Sequence, residues 1–124
     1  MKISKSYIKR FKTAFLFWQN KFGLTQYNTA FFQCKFNKDA EGYAQIQVDE
    51  LSKTVSVTLP FELSPLDASV DDGPEINAMH GAGHLLTARL CWIGRERYVG
   101  STDIQEEDEA IVNRLVKVLS DIRQ

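Results

Sequence analysis

Between Tyr7 and Phe22 the apolar residues Ile8, Phe11, Phe15, Trp18 and Phe22 recur every three or four positions, which predicts a helix with one buried stripe. Ser6 suits its start and Gly23 its stop. The period then shortens to two. Ala30, Phe32, Cys34 and Phe36 fall on one side of an extended segment and Gln33 and Lys35 on the other, the pattern of a half-buried strand. After the turn-rich stretch Asn37 to Gly42, Ala44, Ile46 and Val48 alternate with Gln45 and Gln47. A third strand, Thr54 to Leu59, turns Val55, Val57 and Leu59 inward and Ser56 and Thr58 outward, and Pro60 ends it. Short connections join the three, so they predict an antiparallel meander with one wet face.

Leu63 to Gly73 holds Pro65 and three aspartates and reads as a surface connection. Asp72-Gly73-Pro74 then opens a helix, with an aspartate to cap it and a proline whose missing N–H has no partner in the first turn. That helix runs to about Cys91 with Ile76, Met79, Leu86 and Leu90 on its core side. Past Gly94 and Gly100, Ser101-Thr102-Asp103 offers caps for a last helix whose stripe is Ile111, Leu115, Val118, Leu119 and Ile122. Its acidic run from Glu106 to Glu109 is read as a first turn complementing the helix dipole. The expected fold is α+β, in the order α-β-β-β-α-α, with residues 1–124 as one domain.

Composition narrows the function classes. With 124 residues, 44% of them hydrophobic, the chain can bury a core without disulfide support. Fifteen basic against sixteen acidic side chains leave a net charge of −1, and no basic stripe points to nucleic acid or an anionic membrane. Cys34 and Cys91 stand far apart outside any metal-binding pattern, which places the chain in a reducing cytoplasm. The apolar run Ala14 to Trp18 is too short for a signal peptide, and no segment approaches the ~20 apolar residues of a spanning helix.

Chemistry concentrates in Met79-His80-Gly81-Ala82-Gly83-His84-Leu85-Leu86. The only two histidines of the chain lie four apart on a predicted helix, so their rings leave one face about 6 Å apart along the axis. Two imidazoles so placed can share a tetrahedral metal. The plainer reading, two polar residues at the edge of a core, fits the spacing as well.

The stretch resembles the HExxH helix of zinc peptidases; with a glutamate at position 81 it would read HEAGHLL. Nearly the whole chain is similar in element order to the minimal gluzincin-type metallopeptidases, the small single-domain zincins of phages and prokaryotes. That resemblance implies a backing helix and a small sheet ahead of the active-site helix, and a second helix that supplies a glutamate as third zinc ligand. It also implies a peptide or protein substrate added as a strand along Thr54 to Leu59. For the third ligand the cluster Glu106 to Glu109 stands at the right distance. Glu109, followed four residues later by Asn113, resembles the family pattern of ligand and histidine-orienting residue. Glu106 and Asp108 are the alternatives, and a merely solvated acidic turn is the plain reading of the cluster.

The departure from the family is Gly81, which stands where the general base belongs. General acid–base catalysis contributes ~100- to 10,000-fold, so the resemblance implies a peptidase that binds zinc yet is inactive or severely impaired. Gly81 and Gly83 each also cost a helix about 1 kcal/mol relative to alanine. A disarmed enzyme, a natural pseudoenzyme and a chance resemblance without metal are all open. The other functional class is a non-catalytic scaffold that holds a peptide or protein partner in the same cleft. Tyr98, between the last two helices, is placed to stabilise an oxyanion or simply to pack on the loop. Arg89, Arg95 and Arg97 fit a solvated surface better than an anion site. Met1 to Phe22 fits a core helix better than a prosegment.

Overall fold

The computed structural model describes residues 2–36, 42–69, 71–95 and 101–123. Helix α1 (Lys5–Lys21) leads into strands β1 (Asn28–Cys34), β2 (Gln45–Asp49) and β3 (Thr54–Pro60). The short helix α2 (Pro65–Ser69) and the long helices α3 (Pro74–Arg95) and α4 (Ser101–Arg123) follow. The α+β class and the expected order hold, with α2 as one extra turn inside the connection from Leu63 to Gly73. The turn at 37–41 lies outside the described residues, as do Arg97 and Tyr98.

Helix α1 starts one residue pair earlier than its sequence suggests. Ser4, not Ser6, is the cap, its hydroxyl accepting from the Tyr7 N–H at 3.1 Å. The stop is the expected one. Gly23 has φ +73°, and the Gly23 and Leu24 N–H groups donate to the carbonyls of Asn20 and Gln19, closing the left-handed end that glycine favours. Phe11 and Phe15 are fully buried, Trp18 nearly so, and no residue of α1 lines the cleft described below, so this segment is a core helix.

The sheet corrects two expectations. Its order is β1-β3-β2, with β2 antiparallel and β1 parallel to β3, so it is mixed and not a meander. Only β2 and β3 form a hairpin, over a turn in which Asp49 Oδ1 accepts the N–H groups of Leu51 and Ser52. The second correction is the phase of β1. Thr29, Phe31 and Gln33 face inward, while Ala30, Phe32 and Cys34 face out, Phe32 being 54% exposed. Two adjacent phenylalanines leave the alternation ambiguous, and Phe31 is the one that meets Phe15 edge-on, with ring centroids 5.6 Å apart. A one-residue slip reverses every side chain of a strand. In β2 and β3 the expected inward residues Ile46, Val48, Val55, Val57 and Leu59 are the buried or half-buried ones.

Helix α3 runs between these layers. Gly73 supplies the carbonyl for the first helical bond, from the Asn77 N–H, and Asp71, not Asp72, accepts from both the Gly73 N–H and the Asn77 side chain. Its core side is Ala78, Met79, Ala82 and Leu85. Leu86 and Leu90, expected inside, are exposed, because the small residues on the neighbouring face are what let the α1 aromatics approach. Helix α4 is likewise rotated from its expected stripe: Val112 is fully buried and Val116 and Leu119 pack on the core, whereas Val118 is exposed. The side chain of Ile122 lies outside those described. No helix among the described residues is long and apolar enough to cross a membrane.

Candidate metal centre

A cleft of about 600 Å³ opens between α3, α4 and β2, with Ile46 and Val48 on one wall and His80, His84, Asp108 and Glu109 on the other. Residues 80 and 84 lie one turn apart on α3, and their Nε2 atoms meet at 3.0 Å. Glu109 reaches over from α4, with Oε1 2.8 Å from His84 Nε2 and Oε2 3.5 Å from His80 Nε2. One donor atom from each of the three lies within 4.8 Å of the others, so His80, His84 and Glu109 form a group that can hold a metal ion.

Ligands about 2.0–2.1 Å from a tetrahedral zinc stand about 3.3 Å from one another. The two ring nitrogens stand close to that value, the Glu109 carboxylate meets each through a different oxygen, and imidazole nitrogen and carboxylate oxygen are donors that suit zinc. Burial and the neighbouring His84 push the His80 pKa below its ordinary value, against the pull of Glu109 and Asp108. The neutral imidazole so favoured is the form that ligates a metal.

Helix α4 is described from Ser101 on, so Ser101, Thr102 and Asp103 lie within the helix and not ahead of it, and Glu106 to Glu109 lie more than a turn inside it. The dipole effect fades within the first turn, so it does not account for these carboxylates. They divide by direction instead. Glu106 and Glu107 are exposed, and Glu109 belongs to the ligand group. Asp108 approaches His84 from the opposite edge of the ring, its Oδ2 3.1 Å from Nδ1. Asn113, expected from the resemblance beside a ligand histidine, lines the cleft as an exposed residue, and no contact between it and either histidine is seen among the described residues. Thr87, a buried threonine one turn after His84, donates to the other oxygen of Asp108. Sequence reasoning missed Thr87; a hydroxyl three residues after a histidine on one helix face was the available signal.

Gly81 and Gly83 both sit where another element comes close. A Cβ at Gly81 would lie 2.7 Å from Ile46 Cδ1 and 3.3 Å from the Phe15 ring, and one at Gly83 would lie 2.9 Å from Val112 Cγ1. The absence of a Cβ at both positions therefore permits close packing of β2, α1 and α4 on α3, at a cost in helix propensity. At position 81, which also borders the cleft, a Cβ would press on the end of the Ile46 side chain and on the Phe15 ring.

Strand β3 is hydrogen-bonded on both sides, by β1 and by β2, so no peptide can be added along Thr54 to Leu59. The edge strand bordering the cleft is β2. Among protein families, curated proteins and solved structures, none matches this chain.

Proposed function

We propose that this chain is a zincin-type metallopeptidase scaffold that holds zinc through His80, His84 and Glu109, and that it lacks the base needed for efficient turnover. The observation that carries this reading is the convergence of donor atoms from two imidazoles and a carboxylate, all within 4.8 Å of one another, on the wall of a cleft. Zinc bound there supplies a Lewis acid that polarises a peptide carbonyl and acidifies water. The chain's own contribution is to hold the two imidazoles and the carboxylate in register and to offer the edge of β2 to an extended peptide, by main-chain pairing. Two free cysteines, Cys34 exposed and Cys91 buried, fit a cytoplasmic setting.

A second reading, a non-catalytic protein that grips a peptide in the same cleft, is favoured by the packing at Gly81. A Cβ at position 81 would press on Ile46 and Phe15, a packing that suits a glycine there.

The test is zinc content and calorimetric zinc binding of the purified full-length protein beside His84→Ala and Glu109→Ala. One equivalent of zinc, lost in both variants, is the expected result; a wild-type protein that takes up no zinc overturns the proposal. Combining Gly81→Glu with Ile46→Ala, to clear room for the carboxylate, separates the readings. Zinc-dependent peptide hydrolysis marks a disarmed enzyme, and an inert zinc-loaded double variant marks a binding scaffold.

A further inference from the structure

The net charge of −1 hides a division along the chain. Residues 1–38 hold eight of the fifteen basic side chains and none of the sixteen acidic ones, which leaves seven basic against sixteen acidic over 39–124. The fold gathers much of that basic excess on the outer face of α1. Lys5, Lys9 and Lys12 follow one another at four- and three-residue spacing, Leu16 continues their stripe, and Phe17 and Lys21 stand beside it, all exposed. Among the described residues Arg10 is the α1 cation that meets a carboxylate, Glu75, and no ion pair is seen for the four lysines. Helix stability does not call for this pattern. Lys5 lies in a first turn without an acidic residue, where the dipole disfavours a cation, and like charges three and four residues apart repel. An anionic partner relieves both.

We propose that the outer face of α1 is a docking surface for an anionic phospholipid bilayer, with Lys5, Lys9, Lys12 and Lys21 over the headgroups and Leu16 and Phe17 entering between them. Charge complementarity selects an anionic partner, and the two apolar side chains select lipid. Leu16 is 48% and Phe17 38% exposed, and Lys21 Nζ lies 5.6 Å from the Phe17 ring centroid, so cation and ring are presented together. A bilayer interface buries such side chains, whereas a polynucleotide backbone offers them little apolar surface. Lysine stems also lie along an apolar boundary while the ammonium stays in water. The guanidinium suited to bidentate phosphate recognition, that of Arg10, is already engaged by both oxygens of Glu75. The acidic remainder of the chain sets the orientation, because the surface that attracts α1 repels it. No residue of α1 lines the cleft, so docking through this face leaves the cleft lining uncovered. The proposal does not depend on the zinc reading.

The experiment is sedimentation of the full-length protein with vesicles of phosphatidylcholine alone and of phosphatidylcholine and phosphatidylserine in equal parts. Binding is expected to the mixed vesicles only, and to weaken as salt is raised, because added ions screen the exposed lysines. Lys9→Ala and Lys12→Ala should each weaken it about fivefold, the worth of one lysine near an anionic surface, and the two together about 25-fold. Lys117→Ala on α4, the same change of charge at another exposed position, should leave it unchanged. Leu16→Ser should lower binding severalfold at low and high salt alike, since its contribution is apolar. All four side chains are exposed, so the variants should melt with the wild type in the absence of vesicles.

A wild-type protein that stays in solution beside the mixed vesicles overturns the proposal. So does binding that survives the loss of both lysines or falls as much in Lys117→Ala. An oligonucleotide held more tightly than the vesicles through the same lysines overturns it in favour of a polynucleotide. Salt-sensitive self-association without vesicles, lost with Lys9 and Lys12, assigns the face to the acidic side of a second copy and overturns it too. A protein that binds no zinc yet sediments with the mixed vesicles removes the metal reading and upholds this one.

Discussion

Toward α1 and the sheet, α3 presents Ala78, Met79, Ala82 and Leu85, and these are met by Phe11, Phe15 and Trp18 and by the inward residues of β3. Toward α4 the same helix presents Gly83, His84 and Thr87, and these meet one valine and two carboxylates. The first flank is held by burial, with about 1.5–3 kcal/mol for each large apolar side chain removed from water. The second combines a close glycine contact with a polar cluster in which the carboxylates of Asp108 and Glu109 face two imidazoles and no lysine or arginine within ion-pair distance among the described residues. The contrast teaches that one flank specifies the fold and the other spends its geometry on a site. Changes on the first should act globally and independently of metal; changes on the second should act through α4 and the ligands it carries.

The largest effect is expected at Phe15. Its ring is fully buried, stacks near Phe11 at 6.2 Å, meets Phe31 edge-on and touches the space beside Gly81. Phe15→Ala should destabilise the protein by about 3–5 kcal/mol, through lost burial and the cavity left behind. Urea unfolding with and without zinc should show nearly the same loss in both conditions. A loss that vanishes when zinc is removed would mean that the two flanks are not separate.

An intermediate effect is expected at Gly83. Valine there would drive a Cβ to within 2.9 Å of Val112 Cγ1, and Val112 is fully buried and stiff about χ1. Gly83→Val should cost about 1–3 kcal/mol by overpacking and shift α4 outward. Because Glu109 lies one turn before Val112 on α4, zinc affinity should fall more than tenfold. Adding Val112→Ala should restore part of it, a coupling that a double-mutant cycle measures. An unchanged affinity in Gly83→Val would show that α4 is not the element that sets the ligand geometry.

The two flanks were not equally legible in the sequence. Helix periodicity placed α1, α3 and α4, and strict alternation oriented β2 and β3, because their apolar residues occupy every second position without ambiguity. Where apolar residues sit side by side, as at Phe31-Phe32, Leu85-Leu86 and Val118-Leu119, a linear pattern does not tell which one turns inward, and the partner element decides. Strand order was also beyond reach: a parallel β1–β3 pair depends on which strand the hairpin of β2 and β3 presents to β1. The His80–His84 pair was legible because a fixed spacing on a helix is a local property, whereas Glu109 came from likeness to a family pattern, with Glu106 and Asp108 left open, until α4 placed it beside the two rings. The contacts of Asp108 and Thr87 arise only when α4 is laid on α3, and the crowding at Gly81 only when β2 and α1 are.

The smallest expected effect sharpens the comparison with a carboxylate of the first flank. Glu50 also borders the cleft and is buried, but its partners are fixed donors: the Tyr27 hydroxyl at 2.7 Å and the Lys53 ammonium at 2.7 Å. Burial pushes its pKa up, and the hydrogen bonds from Lys53 and Tyr27 outweigh that and hold it below the usual glutamate value. A carboxyl whose pKa is depressed on folding adds stability that is fully present above the unfolded pKa, about 4.3, and is lost as the pH falls through the folded value. Glu50→Gln should therefore cost about 1 kcal/mol at neutral pH. The difference from wild type should shrink on acidification below about pH 4, within the range set by those two pKa values. Zinc should leave the difference untouched, because the charge of Glu50 is already answered by Lys53. If zinc instead alters the cost of Glu50→Gln, this carboxylate communicates with the metal centre across the cleft, and the boundary between the two flanks must be redrawn on the sheet side of α3.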